Sequence, residues 1–257
     1  MRALALAGLL ALPAGAGAES GELAELAMVR QGDVLVAYAR NLTAGPLQVE
    51  LSSRGPDAGS VAGLPLRQTL APRARVALAR FNDSGVAPTL QLDSTPGEPG
   101  HVARDVVYSL PVDERGFELG QGFHGGYSHA DTANRYAVDL IVPEGTAVLA
   151  ARGGVVMSTV SGYSEGGADP ALAGRANLVR VLHEDGSMGL YAHLQEGGVL
   201  VKPGETVTLG QQIGRTGSTG YSSGPHLHFA VQLNGGMRLV SIPFRMVGPD
   251  GYLPLHK

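Results

Sequence analysis

The sequence contains no cysteine and no tryptophan among its 257 residues. Without cysteine the chain cannot form a disulfide, and a zinc site built from thiolates is excluded. A metal ion would therefore have to bind histidine, aspartate or glutamate side chains. Aromatic residues make up only 5% of the chain, whereas glycine contributes 38 residues. Many glycines between short apolar runs favour strands and turns over long helices.

The sequence also lacks a strong net charge and, beyond the N-terminus, a long apolar run. The formal net charge is −4, from 19 basic and 23 acidic residues, and the basic residues form no cluster. A mildly acidic chain is a poor binder of nucleic acid, so we expect no nucleic-acid partner. No segment beyond the N-terminus approaches the roughly 20 apolar residues of a membrane helix.

The first 18 residues have the pattern of a secretory signal peptide. Arg2 supplies a positive start, residues 3–12 are apolar, and the small residues 16–18 resemble a cleavage site. A buried N-terminal helix is the alternative interpretation. No cysteine follows the apolar stretch that could carry a lipid. We expect cleavage near Ala18 and a periplasmic or secreted protein without a membrane anchor.

The rest of the sequence predicts an all-β fold in two domains. Alternating apolar and polar residues, separated by turn signals, predict the strands of a small antiparallel sandwich. These strands are 33–41, 47–52, 75–81 and 88–93, with 104–112 as the last. With its linker, this N-terminal domain is expected to cover residues 19–110. Short β-type runs between glycine and proline turns predict a second all-β domain over residues 111–257.

The motif GPHLHF contains the most informative pair of residues. His226 and His228 are two positions apart, so in a strand both imidazoles point to one face, while Leu227 and Phe229 can face the core. The two histidines could share a metal ion, or one could bind metal while the other transfers protons. They could also be ordinary polar residues on a solvated face.

Three further residues are candidates to join this pair. His193 lies in the short strand YAHL, and His129 lies in the glycine-rich loop that contains SHAD. Asp139 lies in the apolar run YAVDL, where an unpaired carboxylate is costly. Such a carboxylate usually forms a salt bridge, a cap or a metal site. A metallohydrolase needs about three protein ligands and nearby groups that transfer protons, and these five residues could supply both. Spacing alone does not show that they meet.

Three linked stretches give the pattern its specificity. They are SHADTANRYAVDLIVPEGTAVLAARGGVV, NLVRVLHEDGSMGLYAHL and VKPGETVTLGQQIGRTGSTGYSSGPHLHF, within residues 128–229. In this order they resemble the lysostaphin/LytM-type zinc endopeptidases of peptidoglycan. The resemblance implies a LytM-like antiparallel β-sheet domain with a groove and one Zn²⁺ per chain. It implies His129, Asp139 and His228 as metal ligands and His193 and His226 as catalytic residues, either of which could be the general base.

The spacing of the first two ligands departs from the family pattern. The common pattern has three residues between histidine and aspartate, whereas nine residues separate His129 from Asp139. His124 is therefore a competing first ligand. Asp131, in the insertion, could hydrogen-bond a ligand histidine or shape the loop.

Two other residues have mainly structural interpretations. His183, in the predicted hairpin HEDG, is expected to be solvated. Tyr191 is expected to pack beside His193, although its hydroxyl could instead help to bind an oxyanion.

The resemblance implies peptide stems and cross-links of peptidoglycan as substrate. One alternative is a catalytically weak or autoinhibited module that binds peptidoglycan or activates cell-wall amidases, with a cell-wall regulatory protein as partner. Another is a zinc hydrolase that acts on a different peptide. Inactive relatives typically lose ligand positions, and here all five positions are filled, which favours the endopeptidase.

Overall fold

The computed structural model describes residues 22–54, 63–82, 88–113 and 116–256. The predicted signal peptide lies outside these residues. The described residues form strands and one short 3-10 helix, Pro170–Leu172, so the predicted all-β fold is confirmed. Among them, no helix has the length and apolar character needed to cross a membrane.

Six strands form two three-stranded antiparallel sheets in the N-terminal part. They are β1 (Ala24–Gln31), β2 (Val34–Asn41), β3 (Leu47–Ser53), β4 (Leu66–Leu70), β5 (Arg75–Asn82) and β6 (Leu90–Pro96). The strand orders are β1-β2-β5 and β4-β3-β6. Apolar side chains that alternate along these strands meet in one cluster around Leu47, Val49 and Leu70, all fully buried. The period of two along each strand thus gives both sheets a common core.

The remaining strands begin with β7. They are β7 (Val107–Ser109), β8 (Glu118–Gln121), β9 (Val138–Ile141), β10 (Ala147–Leu149), β11 (Gly154–Val160), β12 (Gly166–Gly167), β13 (Asn177–Leu182), β14 (Met188–Val199), β15 (Thr206–Val207), β16 (Gln212–Thr216), β17 (Gly220–Tyr221), β18 (His226–Asn234), β19 (Leu239–Ser241), β20 (Arg245–Gly248) and β21 (Gly251–Tyr252). Ten of them form one sheet, whose main path is β15-β11-β13-β14-β18-β9-β8. Every pair on this path is antiparallel.

The core of the large sheet lies on one of its faces. Tyr191 and Phe229 pack against each other at its centre, with ring centroids 5.1 Å apart, and both are fully buried. Burying an aromatic side chain of this size removes some 150–250 Å² of surface from water, which makes such pairs dominant in a core. The opposite face carries a smaller apolar cluster around Leu190 and Ala230 and the polar side chains described below.

Strand β7 differs from its predicted place. The sequence suggested residues 104–112 as the last strand of the N-terminal sandwich, but β7 pairs in parallel with β20 near the C-terminus. Tyr108, Leu110 and Val112 are buried in the core of the large sheet. This long-range pairing has no signal in the local alternation.

The N-terminal sheets contact the large sheet through backbone and amide groups. The amide of Ala44 donates to the carbonyl of Met157 at 2.8 Å. Asn234 Nδ2 donates to the carbonyl of Gly97, and the amide of Met237 donates to Gln48 Oε1, each at 2.8 Å. Buried hydrogen bonds of this kind fix the orientation of one part against the other.

Candidate metal centre

Strands β9 and β18 place Asp139 directly beside His228. The two residues are register partners in the antiparallel pair, and His228 Nδ1 lies 2.9 Å from Asp139 Oδ1. On the other side of β18, Leu227 and Phe229 are fully buried in the core, as the alternation in HLHF predicted. The period of the strand therefore aims His226 and His228 at the same polar face.

His129 reaches the same carboxylate from the loop between β8 and β9. Its Nε2 lies 3.2 Å from Asp139 Oδ1, and its Nδ1 donates to the carbonyl of Gly122 at 2.9 Å. The side chain is buried, with 1% of the residue exposed. The backbone amide of His129 donates to Gly125, which closes a tight turn and turns the ring inward.

One potential ligand atom from each of His129, Asp139 and His228 thus lies within 4.8 Å of the other two. The structure brings together the three residues that the family resemblance implied as ligands, although nine residues separate His129 from Asp139. Two nitrogens and one carboxylate oxygen at this separation suit a single divalent cation.

The hydrogen bonds on the far side of each ring show why a cation fits. His129 Nδ1 carries its proton toward Gly122, so a neutral ring presents the lone pair of Nε2 to Asp139. His228 Nε2 lies 3.2 Å from Asn134 Oδ1, whose orientation is fixed because Asn134 Nδ2 donates to Asp131. A neutral His228 therefore also presents a lone pair to Asp139. Acceptors so close repel each other unless a proton or a metal cation lies between them.

The electrostatics of the cluster agree with this geometry. Burial raises the pKa of Asp139, but hydrogen bonds from His129 and His228 outweigh burial and hold the pKa well below its usual value. Burial also lowers the pKa of His129, yet the hydrogen bond and charge of Asp139 outweigh it and raise that pKa. The ionised carboxylate thus attracts a proton or a metal ion to the same place.

His226 lies beside the three-residue cluster of His129, Asp139 and His228, and a backbone carbonyl fixes its ring. Its Nδ1 donates to the carbonyl of Gly224 at 2.8 Å, and its Nε2 lies 3.9 Å from Asp139 Oδ1. Since the proton of a neutral imidazole is on Nδ1, the Nε2 lone pair faces the cluster.

His193 approaches from β14 through a break in strand pairing. Leu178 pairs with Ala192 and Asn177 with Leu194, which leaves His193 in a β-bulge with φ of 63°. This left-handed conformation is uncommon for a residue other than glycine and re-aims the side chain. The ring lies 4.7 Å from that of His226 and 5.8 Å from that of His228, between centroids.

The protonation of His193 is controlled by its surroundings. Burial, followed by the charges of His228 and His226, lowers the pKa of His193 to about 3. Its Nδ1 donates to the carbonyl of Thr219 at 2.7 Å. The ring is therefore neutral near pH 7, with its proton on Nδ1 and a lone pair on Nε2.

Two residues at the site were missed by sequence reasoning. Asn134 orients His228, as described above, and Gln121 Nε2 donates to Asp139 Oδ2 at 2.7 Å. Amides in a loop and at a strand end have no period that would single them out. Asp131 has the loop-shaping role: its carboxylate accepts from the amide of Ala133 and from Asn134 Nδ2, and it reaches His228 only through Asn134.

Three other sequence interpretations are settled by the structure. His124 is exposed and packs against Tyr136, so it is not part of the three-residue cluster. Tyr191 is fully buried and its hydroxyl accepts from the amide of Ala151, so it faces away from the site and the oxyanion role is wrong. His183 was expected to be solvated, but only 3% of it is exposed. Its ring packs against the ring of Tyr108, which is distant in the sequence.

An open cavity of about 460 Å³ adjoins Asp139 and His226. Its apolar lining includes Tyr127, Ile141 and Pro225. Next to it, Tyr127 and Tyr221 stack nearly parallel, with centroids 5.7 Å apart. Clefts that combine an apolar wall with a few convergent polar groups are typical ligand sites.

A protein-family model matches the chain. The sequence profile described as peptidase family M23 matches residues 133–238, which include Asp139, His193, His226 and His228. His129 lies just before the matched segment.

Two curated relatives illustrate the similarity. The chain is 31% identical over 170 residues to the peptidoglycan DD-endopeptidase ShyC of Vibrio cholerae, covering 63% of this chain and 36% of that protein. It is 40% identical over 98 residues to an uncharacterized metalloprotease of Haemophilus influenzae, covering 38% of this chain and 18% of that protein. The matches thus span about a third or less of these relatives.

Among solved structures, the catalytic domain of lysostaphin from Staphylococcus simulans is 33% identical. The match covers 46% of this chain and 81% of that chain, with a TM-score of 0.35.

Proposed function

Because the chain carries a peptidase M23 domain, we propose that it is a zinc-dependent endopeptidase that hydrolyses peptide cross-links or stems of bacterial peptidoglycan. The observation that supports this most directly is the convergence of His129, Asp139 and His228 on one point. Catalytic zinc sites commonly use three such protein ligands and leave a further position for water.

In this proposal the three residues hold one Zn²⁺ per chain. The zinc ion supplies Lewis acidity, which polarises a scissile carbonyl and lowers the pKa of a bound water toward roughly 7. Gly122 and Asn134 keep the rings of His129 and His228 in the tautomers that present a lone pair to the ion.

His193 and His226 form the proton-transfer pair. Both rings carry their proton on Nδ1, which a backbone carbonyl holds, and both present Nε2. One Nε2 accepts the proton of the attacking water, and the pair then delivers a proton to the leaving amine. The cavity beside Ile141, which adjoins His226, would receive a substrate side chain next to the scissile bond.

The proposed substrate is a peptide of peptidoglycan, which a relative's name also specifies: ShyC is a peptidoglycan DD-endopeptidase. We propose that the chain meets this substrate outside the cytoplasm, after cleavage of the N-terminal segment near Ala18. N-terminal sequencing of the protein from cell fractions tests this. An intact Met1 in the cytoplasmic fraction would contradict export.

A second candidate function is a catalytically weak module that binds peptidoglycan or activates cell-wall amidases. The N-terminal sheets lie outside the segment that the family profile matches, and such a role would reside in them. The five filled site positions favour the enzyme.

The deciding experiment measures zinc content and digestion together. The purified mature protein is assayed for bound zinc, and purified peptidoglycan is digested and its fragments are resolved by mass. One zinc per chain and loss of cross-linked dimers supports the endopeptidase, and the fragment masses identify the bond. An intact wall after zinc is supplied supports the binding module instead.

A further inference from the structure

Gln121 touches the candidate metal centre without offering it a ligand. We propose that Gln121 is a positioning residue, which holds the carboxylate of Asp139 in the one orientation that binds the metal. The inference rests on the proposed metal-dependent function and assigns a residue that the sequence reasoning had passed over.

The two oxygens of Asp139 have separate partners. Oδ1 faces His129 and His228 at 3.2 and 2.9 Å, whereas Oδ2 accepts from Gln121 Nε2 at 2.7 Å. With Oδ2 occupied by an amide donor, the carboxylate offers a single oxygen to the cluster. A neutral donor at Oδ2 also leaves the negative charge of Asp139 available to a cation.

Gln121 also reaches the loop that carries His129. Its Nε2 donates to Ser128 Oγ at 2.9 Å, and its Oε1 accepts from the amide of Tyr127 at 3.1 Å. One side chain therefore connects Asp139 to the segment just before His129. This connection is needed here because nine intervening residues, rather than three, separate the two ligands and cannot fix their distance by themselves.

The backbone of β8 directs the Gln121 side chain toward Asp139. Gln121 is the register partner of Asp139 in the β8–β9 pair, and the register shifts between Leu119 and Gln121. Such bulges re-aim a side chain next to active sites. A Cβ on Gly125 would lie 2.8 Å from Gln121 Oε1, so a larger residue at this position would displace the Gln121 side chain.

The expected consequence concerns metal affinity. Without the Gln121 amide, Asp139 Oδ2 is a buried acceptor with no donor, and the carboxylate rotates to find another partner. Loss of an outer hydrogen-bond partner at a metal site typically lowers metal affinity by about 10–100-fold.

The test compares Gln121→Met with Gln48→Met in the full mature chain. Methionine keeps the length of the side chain and removes both hydrogen-bonding groups. Gln48 is a matched control because its Oε1 likewise accepts a backbone amide, from Met237, away from the site. Zinc affinity is measured by competition with a chromophoric chelator, and the visible absorption of the cobalt-loaded protein reports ligand geometry.

We expect Q121M to lose about 10–100-fold in zinc affinity and to change the cobalt spectrum, while Q48M matches the wild type in both. Ser128→Ala, which removes only the loop contact of Nε2, is expected to lose less than Q121M. If Q121M does not fold, as judged by circular dichroism, Gln121→Asn provides the same comparison because its amide falls one methylene short.

Two results would overturn the assignment. Unchanged affinity and spectrum in Q121M would show that Gln121 does not position the ligand. An S128A loss equal to that of Q121M would place the effect in the loop rather than in Asp139. Failure of the proposed function looks different, since the wild type itself would then bind no zinc in the same titration.

Discussion

The ring of His193 is held by the carbonyl of Thr219, which accepts from Nδ1 at 2.7 Å. Thr219 is itself fixed, because its hydroxyl donates to Leu194 and accepts from the amide of Asn177. The strained backbone of the bulge and this carbonyl together hold the His193 ring beside those of His226 and His228. The function proposed for the pair depends on that orientation.

His193→Ala is expected to retain zinc while turnover of cross-linked muropeptides falls by about 10²–10⁴-fold, the usual contribution of acid–base catalysis. His193 lies beside the ligand cluster and is not one of its members. Zinc content and kcat measured on the same preparation check this prediction. A variant that has lost its zinc would show that His193 is a ligand.

Gly166→Ala is expected to lower activity without removing zinc. A Cβ at Gly166 would overlap the carbonyl of Ser218, next to Thr219, and would push apart the β12–β17 pair. Gly167→Ala is the matched control, because its Cβ would meet only Leu172, at an ordinary 3.6 Å. Steady-state kinetics should separate the two variants, and equal rates would contradict the proposed dependence of His193 on this loop.

Asp139→Ala is expected to lower zinc content and activity together, because Oδ1 of Asp139 is the atom that both ligand histidines face. Asp93→Ala, at an exposed position of strand β6, serves as the control. Metal analysis after dialysis measures the loss. Full zinc occupancy in the Asp139 variant would reject the ligand set.

The stability of the protein is expected to fall as the pH drops from about 6.5 to about 4. Burial, partly offset by the hydrogen bond to Gly153, lowers the pKa of His183 from 6.5 to about 4. Between these values the unfolded chain binds a proton that the folded chain does not, so stability rises with pH there. A difference of 2 to 3 pKa units corresponds to about 3 kcal/mol.

His183→Asn should remove this part of the pH dependence, because the amide can still donate to Gly153 and does not titrate. Exposed His256 provides the control, as His256→Asn. Chemical denaturation at several pH values gives the free energy of unfolding. An unchanged slope between pH 4 and 6.5 in the His183 variant would contradict the assignment.

The sequence predicted what depends on local periodicity. The alternation in HLHF placed Leu227 and Phe229 in the core and both histidines on the polar face, because the side-chain period of a strand is two. It could not show that β18 pairs with β9, since that pairing joins residues 89 positions apart. The proximity of the three ligands was implied by the family resemblance.

His183 shows where local reading fails. The turn predicted at HEDG is present, with the amide of His183 donating to Ser187. However, the strand that contains Tyr108 crosses over the ring and buries it. This burial depends on a tertiary contact, and the sequence of the turn gives no sign of it.

The direct pairing of Asp139 with His228 has a consequence for assembly of the sheet. If β9 slipped by one residue along β18, Asp139 would enter the core and Val138 or Leu140 would face the histidines, because a one-residue slip exchanges the two faces of a strand. Only the sheet with the native register can therefore bind an ion at this point. Metal binding during folding would therefore stabilise the native register selectively, because a sheet with a shifted register would lack the complete ligand set.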